Sequence, residues 1–224
     1  MASRSARPAL VRTDGAWRLY VSCARAGTKG WWVDLLEAST VEGLADAEPV
    51  TVLSDSDTAA VKDTVIRFDG RRWHLWASVH PLDDPDATDR MTTEHATSAD
   101  GRDWTWHGTA LAGTSGSWDA RGVRFSSVLL DGDRTWALYD GRATAEENWE
   151  ERTGIARADA DPAAGPAVRF TADADGPLLR SPHPPGGLRY ADAVPVADGT
   201  TRWFFEITRT DGAHELRTVL LPSH

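Results

Sequence analysis

A single cysteine, Cys23, stands in the 224 residues, so the chain cannot close an internal disulfide. No apolar run approaches the roughly 20 residues that a spanning helix needs. The opening residues, Met-Ala-Ser-Arg-Ser-Ala-Arg-Pro, carry basic side chains without the apolar stretch of a secretory signal, so a soluble cytoplasmic protein is expected. Positive charge is also short, with 24 Lys and Arg against 34 Asp and Glu and a formal charge of −10. Such a surface lacks the field that gathers phosphate backbones or anionic lipid, so neither nucleic acid nor membrane is an expected partner. There is no phosphate-binding loop, no Gly-rich dinucleotide turn, no Gly-x-Ser-x-Gly elbow and no paired Cys site. His214-Glu215-Leu216-Arg217-Thr218 lacks the second His of a zinc-protease helix. The residues 80–89, with four Asp, offer oxygen ligands for Ca²⁺ but no EF-hand spacing, and a solvated acidic loop is the expectation; no cofactor and no metal is assigned. Long helices are missing too. The best candidate, Thr144 to Arg152, has capping-box spacing but only about two turns and no apolar stripe.

What the chain has in surplus is tryptophan, 11 in all, more than its three Tyr and five Phe together. Four of these fall in one recurring phrase: an apolar run, Asp-Gly, one to three residues, Trp, and a second apolar run. The copies are Asp14-Gly15 with Trp17, Asp69-Gly70 with Trp73, Asp131-Gly132 with Trp136, and Asp198-Gly199 with Trp203, spaced by 55, 62 and 67 residues. Asp-Gly between apolar stretches supplies the positive φ of tight hairpin turns. Three residues after each Trp stand Tyr20, Trp76, Tyr139 and Glu206. The first strands of the hairpins, near 9–12, 64–67, 127–130 and 193–196, are apolar on both faces, as for strands with neighbours on each side. Further strand-like pieces follow at 31–36, 92–97, 153–157 and 215–220. A supersecondary unit repeated at this period is the signature of a repeat architecture. Four units of about four strands predict an all-β chain with the fold of a β-propeller, its units near 7–55, 62–112, 118–180 and 188–222 in a single domain.

The run Val61-Lys62-Asp63-Thr64-Val65-Ile66-Arg67-Phe68-Asp69-Gly70-Arg71-Arg72-Trp73-His74-Leu75-Trp76, with Ala96-Thr97-Ser98-Ala99-Asp100-Gly101-Arg102-Asp103-Trp104 after it, resembles one blade of the five-bladed propeller glycosidases. Those are the glycoside hydrolase family 43-like enzymes and their relatives of families 32 and 68. The resemblance implies four recognisable blades of a ring whose first blade is lacking or remodelled. It implies glycoside hydrolysis of a short oligosaccharide or glycoconjugate, a small carbohydrate being the partner. In that chemistry one carboxylate activates water, a protonated one delivers a proton to the leaving oxygen, and a third group tunes the acid. In the family these carboxylates open the innermost strands. The matching column, six residues before each hairpin Asp, holds Pro8, Asp63, Phe125 and Asp192, preceded by Arg7, Lys62, Arg124 and Ala191.

Asp63 is thus expected to tune or stabilise, and Asp192 or Glu206 to donate or accept a proton. Flanked by Phe204, Phe205 and Ile207, Glu206 replaces an aromatic and should be desolvated. Lys62, Arg121, Arg124, Tyr190, Trp118 and Asp119 are the expected substrate contacts, the last two on a loop leading into an inner strand. The bland reading of each stands beside the functional one: Asp63 capping a turn, Glu206 partnering Arg202, Asp119 and Arg121 forming a surface ion pair. The in-phase tryptophans read as packing, while Trp31, Trp32, Trp118 and Trp149 break phase and suit stacking on a sugar ring. Phe125 in the acid column supports an alternative, a propeller that binds carbohydrate without cleaving it.

Overall fold

The computed structural model describes residues 5–13, 15–131, 134–159, 169–173, 175–196 and 199–222. They form 15 strands and one short 3-10 turn at Glu42–Asp46, in four antiparallel sheets with the strands of each in chain order. The fold is all-β, of the β-propeller class. The first sheet runs β1 (Ser5–Thr13), β2 (Ala16–Ala24), β3 (Trp31–Ala38), β4 (Val50–Leu53), and the second β5 (Ala59–Phe68), β6 (Trp73–Pro81), β7 (Thr92–Ser98), β8 (Thr105–Leu111). The third runs β9 (Gly122–Asp131), β10 (Arg134–Arg142), β11 (Arg152–Ala158), β12 (Phe170–Ala172). The fourth has three strands among the described residues where four were expected: β13 (Leu188–Pro195), β14 (Thr200–Thr208), β15 (His214–Pro222). By contacts the chain falls into two compact units, the first up to Ala110 with sheets one and two, the second from Leu111 with sheets three and four.

Each repeated hairpin is the first strand pair of its sheet, and the tryptophan phase is the pairing register: Trp17 lies opposite Arg12, Trp73 opposite Phe68, Trp136 opposite Leu129 and Trp203 opposite Ala193. Period-2 alternation then sends the residue three positions on to the other face, where Tyr20, Trp76 and Tyr139 are fully buried. Glu206, in the same column, stays partly open. Three of the in-phase tryptophans carry a guanidinium over the ring: Arg12 at 5.5 Å from Trp17, Arg18 at 4.7 Å from Trp73 and Arg157 at 4.7 Å from Trp136. In the first unit Tyr20, Val33, Leu35, Ile66, Leu75, Ala77 and Ala96 make the core. Tyr20 Oη donates to the Gly101 carbonyl at 2.8 Å, and Gly101 turns with φ +76° so close to that hydroxyl that a Cβ would lie 2.8 Å from it.

Residues 143–149, where two helical turns were conceivable, are bends and turns, and Arg152 already opens β11. Glu147 accepts the Ala143 N–H at 2.6 Å, one residue before the Thr144 N–H that a capping box would use. The turn residues Asp14, Gly132 and Asp198 lie outside the described residues, as does most of the 159–176 loop. That loop nonetheless contributes the three-residue edge strand β12.

Candidate functional site

The first strand of every sheet carries one extra residue at nearly the same place. Pairing skips across Arg7-Pro8 in β1, Asp63-Thr64 in β5, Ser126 in β9 and Tyr190-Ala191 in β13. Bulges of this kind re-aim a side chain and break the ladder. In the second sheet the turn opens at Asp69, whose N–H bonds the Arg72 carbonyl; in the fourth it opens at Val196, whose N–H bonds the Thr200 carbonyl. The fourth turn therefore begins two residues before Asp198, and the residue that shares the place of Asp63 is Tyr190 rather than Asp192. Backbone geometry agrees: Asp63 (φ +52°) and Tyr190 (φ +57°) both take the left-handed conformation that non-glycine residues avoid. Lys62 and Arg189, the cations just before them, hold matching places.

In the first unit, Asp63 is 3% exposed, its N–H donates to Ser22 Oγ at 3.0 Å, and Lys62 Nζ lies 3.8 Å from its carboxylate. The same ammonium sits 4.9 Å over the Trp31 ring, so one out-of-phase tryptophan belongs to this cluster. Thr64, the second bulge residue, is buried, and its hydroxyl has no partner among the described residues. Trp32 is elsewhere, its indole N–H donating to Asp34 at 2.9 Å.

The second unit brings Arg124, Tyr190 and Glu206 together around residues that sequence did not single out. Arg124 Nε contacts Asp140 Oδ2 at 3.2 Å, and both Asp140 oxygens accept the Tyr190 N–H at 3.1 Å, holding the bulge. Glu151, 2% exposed, receives Arg142 at 2.9 Å, Arg189 at 3.0 Å and Arg124 at 3.8 Å. Burial pushes its carboxyl up, but the Arg124, Arg189 and Arg142 guanidiniums outweigh burial and hold it below the usual range. Arg189 Nε also bonds Glu206 Oε1 at 2.5 Å, so the partner of Glu206 is Arg189, the residue facing it across the strands. Arg124 and Arg189 lie 4.3 and 5.0 Å from the Tyr190 ring, and Trp149, 62% exposed, covers Arg189 at 5.3 Å.

Asp192 accepts Ser127 Oγ at 2.5 Å and the Ala193 N–H at 3.0 Å. Trp118 stacks on Tyr139 with centroids 5.5 Å apart, and Asp119, 1% exposed, accepts Tyr139 Oη at 3.1 Å and the Thr114 N–H at 3.2 Å. The Arg121 N–H bonds the Arg142 carbonyl at 2.9 Å. In the acidic loop, Lys29 Nζ contacts the Pro85 carbonyl at 3.0 Å and Thr88 Oγ1 at 2.9 Å, placing an ammonium on it. Among the described residues no three His, Cys, Asp or Glu side chains are set to hold a metal ion. Arg189, Glu151, Asp140 and Arg142 had no spacing signature, because they converge from three separate stretches of chain.

No protein-family model and no curated protein matches the chain. Solved structures do. A β-1,2-mannobiose phosphorylase from Listeria innocua, in complex with β-1,2-mannobiose, superposes with a TM-score of 0.67 at 16% identity over 96% of this chain and 57% of its own. An α-L-arabinofuranosidase from Lactobacillus brevis gives 0.68 at 14% identity over 96% and 67%, and an exo-1,5-α-L-arabinanase from a bovine ruminal metagenomic library 0.63 at 15% over 97% and 77%. What they share with this chain is the propeller fold. The chain spans little more than half the length of the phosphorylase.

Proposed function

We propose that this is a carbohydrate-acting propeller that takes a short oligosaccharide or glycoconjugate at the bulged first strand of its second sheet, by glycoside hydrolase-like chemistry. The observation that carries the reading is Asp63: a buried carboxylate on left-handed backbone, held by a bulge beside Lys62 and Trp31. Holding a non-glycine residue there costs on the order of 1–3 kcal/mol, and such strain gathers where geometry serves a site. The neighbours in fold, solved as enzymes of mannobiose and arabinose linkages, agree with it. In this reading Asp63 steadies the positive charge that develops at the sugar carbon, and Lys62 and Trp31 grip hydroxyls and ring face.

One observation favours a second reading, binding without cleavage. Glu206 is tied to Arg189 at 2.5 Å, a contact that suits an anchor better than a group that must turn to a leaving oxygen. The test is calorimetry against a panel of neutral di- and trisaccharides, with aryl glycoside hydrolysis assayed in parallel on wild type and Asp63→Asn. Hydrolysis that drops about 100-fold or more in Asp63→Asn supports the catalytic reading. Binding without turnover, lost in Asp63→Asn, supports the second. Turnover unchanged by Asp63→Asn overturns the role given to this residue, and a panel with neither binding nor turnover overturns both readings.

A further inference from the structure

A groove of about 420 Å³ within the first unit is lined by Val52 of β4, Val61 of β5, Val79 of β6, Glu94 of β7, and Trp104 and Trp106 at β8. Alternation puts Glu94 on the same face of β7 as Ala96, and its cross-strand partner is Ala77; both alanines belong to the apolar core. A charged residue thus stands where the pattern calls for an apolar one, and such breaches of local consistency concentrate at functional sites. Glu94 makes no hydrogen bond and no ion pair among the described residues, and it is the one ionisable side chain of those lining the groove. Burial alone pushes its carboxyl up. Beside it Trp104 packs on the core, edge-on to Tyr20 at 6.4 Å, while Trp106 is 40% exposed at the mouth.

We infer that this groove binds a small organic cation of the quaternary ammonium class, with Glu94 as counter-ion and the tryptophan rings as its walls. Three features favour this chemistry. An uncompensated carboxylate in an apolar setting is unfavourable, and a cation removes that cost. Tryptophan is the best aromatic face for a cation, and the attraction grows as water is excluded. Methyl groups on the nitrogen match Val52, Val61 and Val79, which a strongly hydrated metal ion would not. A single carboxylate also leaves the groove without the pair that glycoside hydrolysis uses, so its chemistry differs from that proposed for the Asp63 cluster.

The experiment titrates the full chain with choline chloride at constant ionic strength, following tryptophan fluorescence and calorimetry. The uncharged isostere 3,3-dimethylbutan-1-ol serves as control. Saturable choline binding is expected, at least about tenfold weaker for the alcohol, for Glu94→Gln and for Trp106→Ala. Affinity should rise from about pH 4 to about pH 7 as Glu94 loses its proton, and Glu94→Gln should abolish that rise. Trp106→Ala, at an exposed ring, keeps the test valid if Glu94→Gln were to misfold. No saturable response to choline up to about 100 mM, equal binding of the alcohol, or unchanged binding by Glu94→Gln would each overturn the inference.

The free protein offers an independent readout. Because the native state holds the Glu94 proton more tightly than the unfolded chain, stability should fall as pH rises above the ordinary Glu range. Glu94→Gln should lose this slope and melt at or above the wild-type temperature near neutral pH.

Discussion

Glu151→Gln should lower stability by about 3–5 kcal/mol, the cost of leaving buried charges without their partner. At about 2–4 °C per kcal/mol for a chain of this size, the melting temperature should drop by on the order of 10 °C. The carboxylate meets Arg142 at 2.9 Å and Arg189 at 3.0 Å, with Arg124 at 3.8 Å, and the side chains of all three are under a tenth exposed. An amide of the same shape keeps the packing but removes the negative charge that faces all three guanidiniums. Arg124 then retains Asp140, Arg189 retains Glu206, and Arg142 keeps its bond to the Asn148 amide oxygen at 2.8 Å, but none keeps the Glu151 charge. Glu147→Gln is the internal control, because its bond to Arg152 is as short, 2.6 Å, but about a third of the Glu147 side chain is exposed, and it should cost about 0–1 kcal/mol. Equal melting shifts for the two variants would refute the assignment.

The same group sets part of the acid limb. The Glu151 carboxyl is held below its ordinary value in the native state, so the unfolded chain binds its proton first as pH falls. Its stabilisation is complete above the ordinary Glu range, about pH 4.3, and is lost as pH drops through the lowered native value. Glu151→Gln should therefore be destabilised at pH 7 yet show a flatter loss of stability toward acid, measurable by thermal unfolding between about pH 3 and pH 7.

The hairpins were legible in the sequence because two signals coincide there, Asp-Gly turn chemistry and a tryptophan at constant phase. Tyr20, Trp76 and Tyr139 were readable as one column, since strand alternation carries that phase three residues forward. The bulges were not readable. A bulge is one residue added within a strand that still reads as continuous apolar chain, and the fourth turn hides its own start, so counting from Asp198 led to Asp192 where the sheet places Tyr190. The charge cluster of the second unit was invisible for a different reason. Arg124 and Asp140 face each other across β9 and β10, but Glu151 and Arg189 arrive from a loop end and another sheet, and only tertiary structure makes them neighbours. Glu94 carried a signal that could have been used, a charge on the apolar side of a strand that alternates toward Ala96.

Gly154→Ala should cost about 1–3 kcal/mol or more through overpacking, and a larger side chain correspondingly more. Gly154 lies on β11 directly opposite Tyr139 on β10, and a Cβ there would meet the ring at 2.5 Å and the Trp118 ring at 2.8 Å. Neither ring can yield cheaply. Tyr139 is fully buried, its hydroxyl is fixed on Asp119, and Trp118 is stacked against it, while Asp119 is itself held by the Thr114 N–H. The absence of a side chain at 154 is thus what lets Trp118 lie flat across the strand pair. If that account is right, the double variant Gly154→Ala/Trp118→Leu should cost less than the two single changes added, because the smaller side chain returns the space the methyl group takes. Additive costs, or a Gly154→Ala protein that melts with the wild type, would contradict it. The outcome also bears on Trp118 and Asp119 as sugar contacts. Where the pair is this tightly fixed, Trp118→Leu should move the melting temperature as well as any saccharide affinity, whereas a residue serving the ligand alone would move only the second.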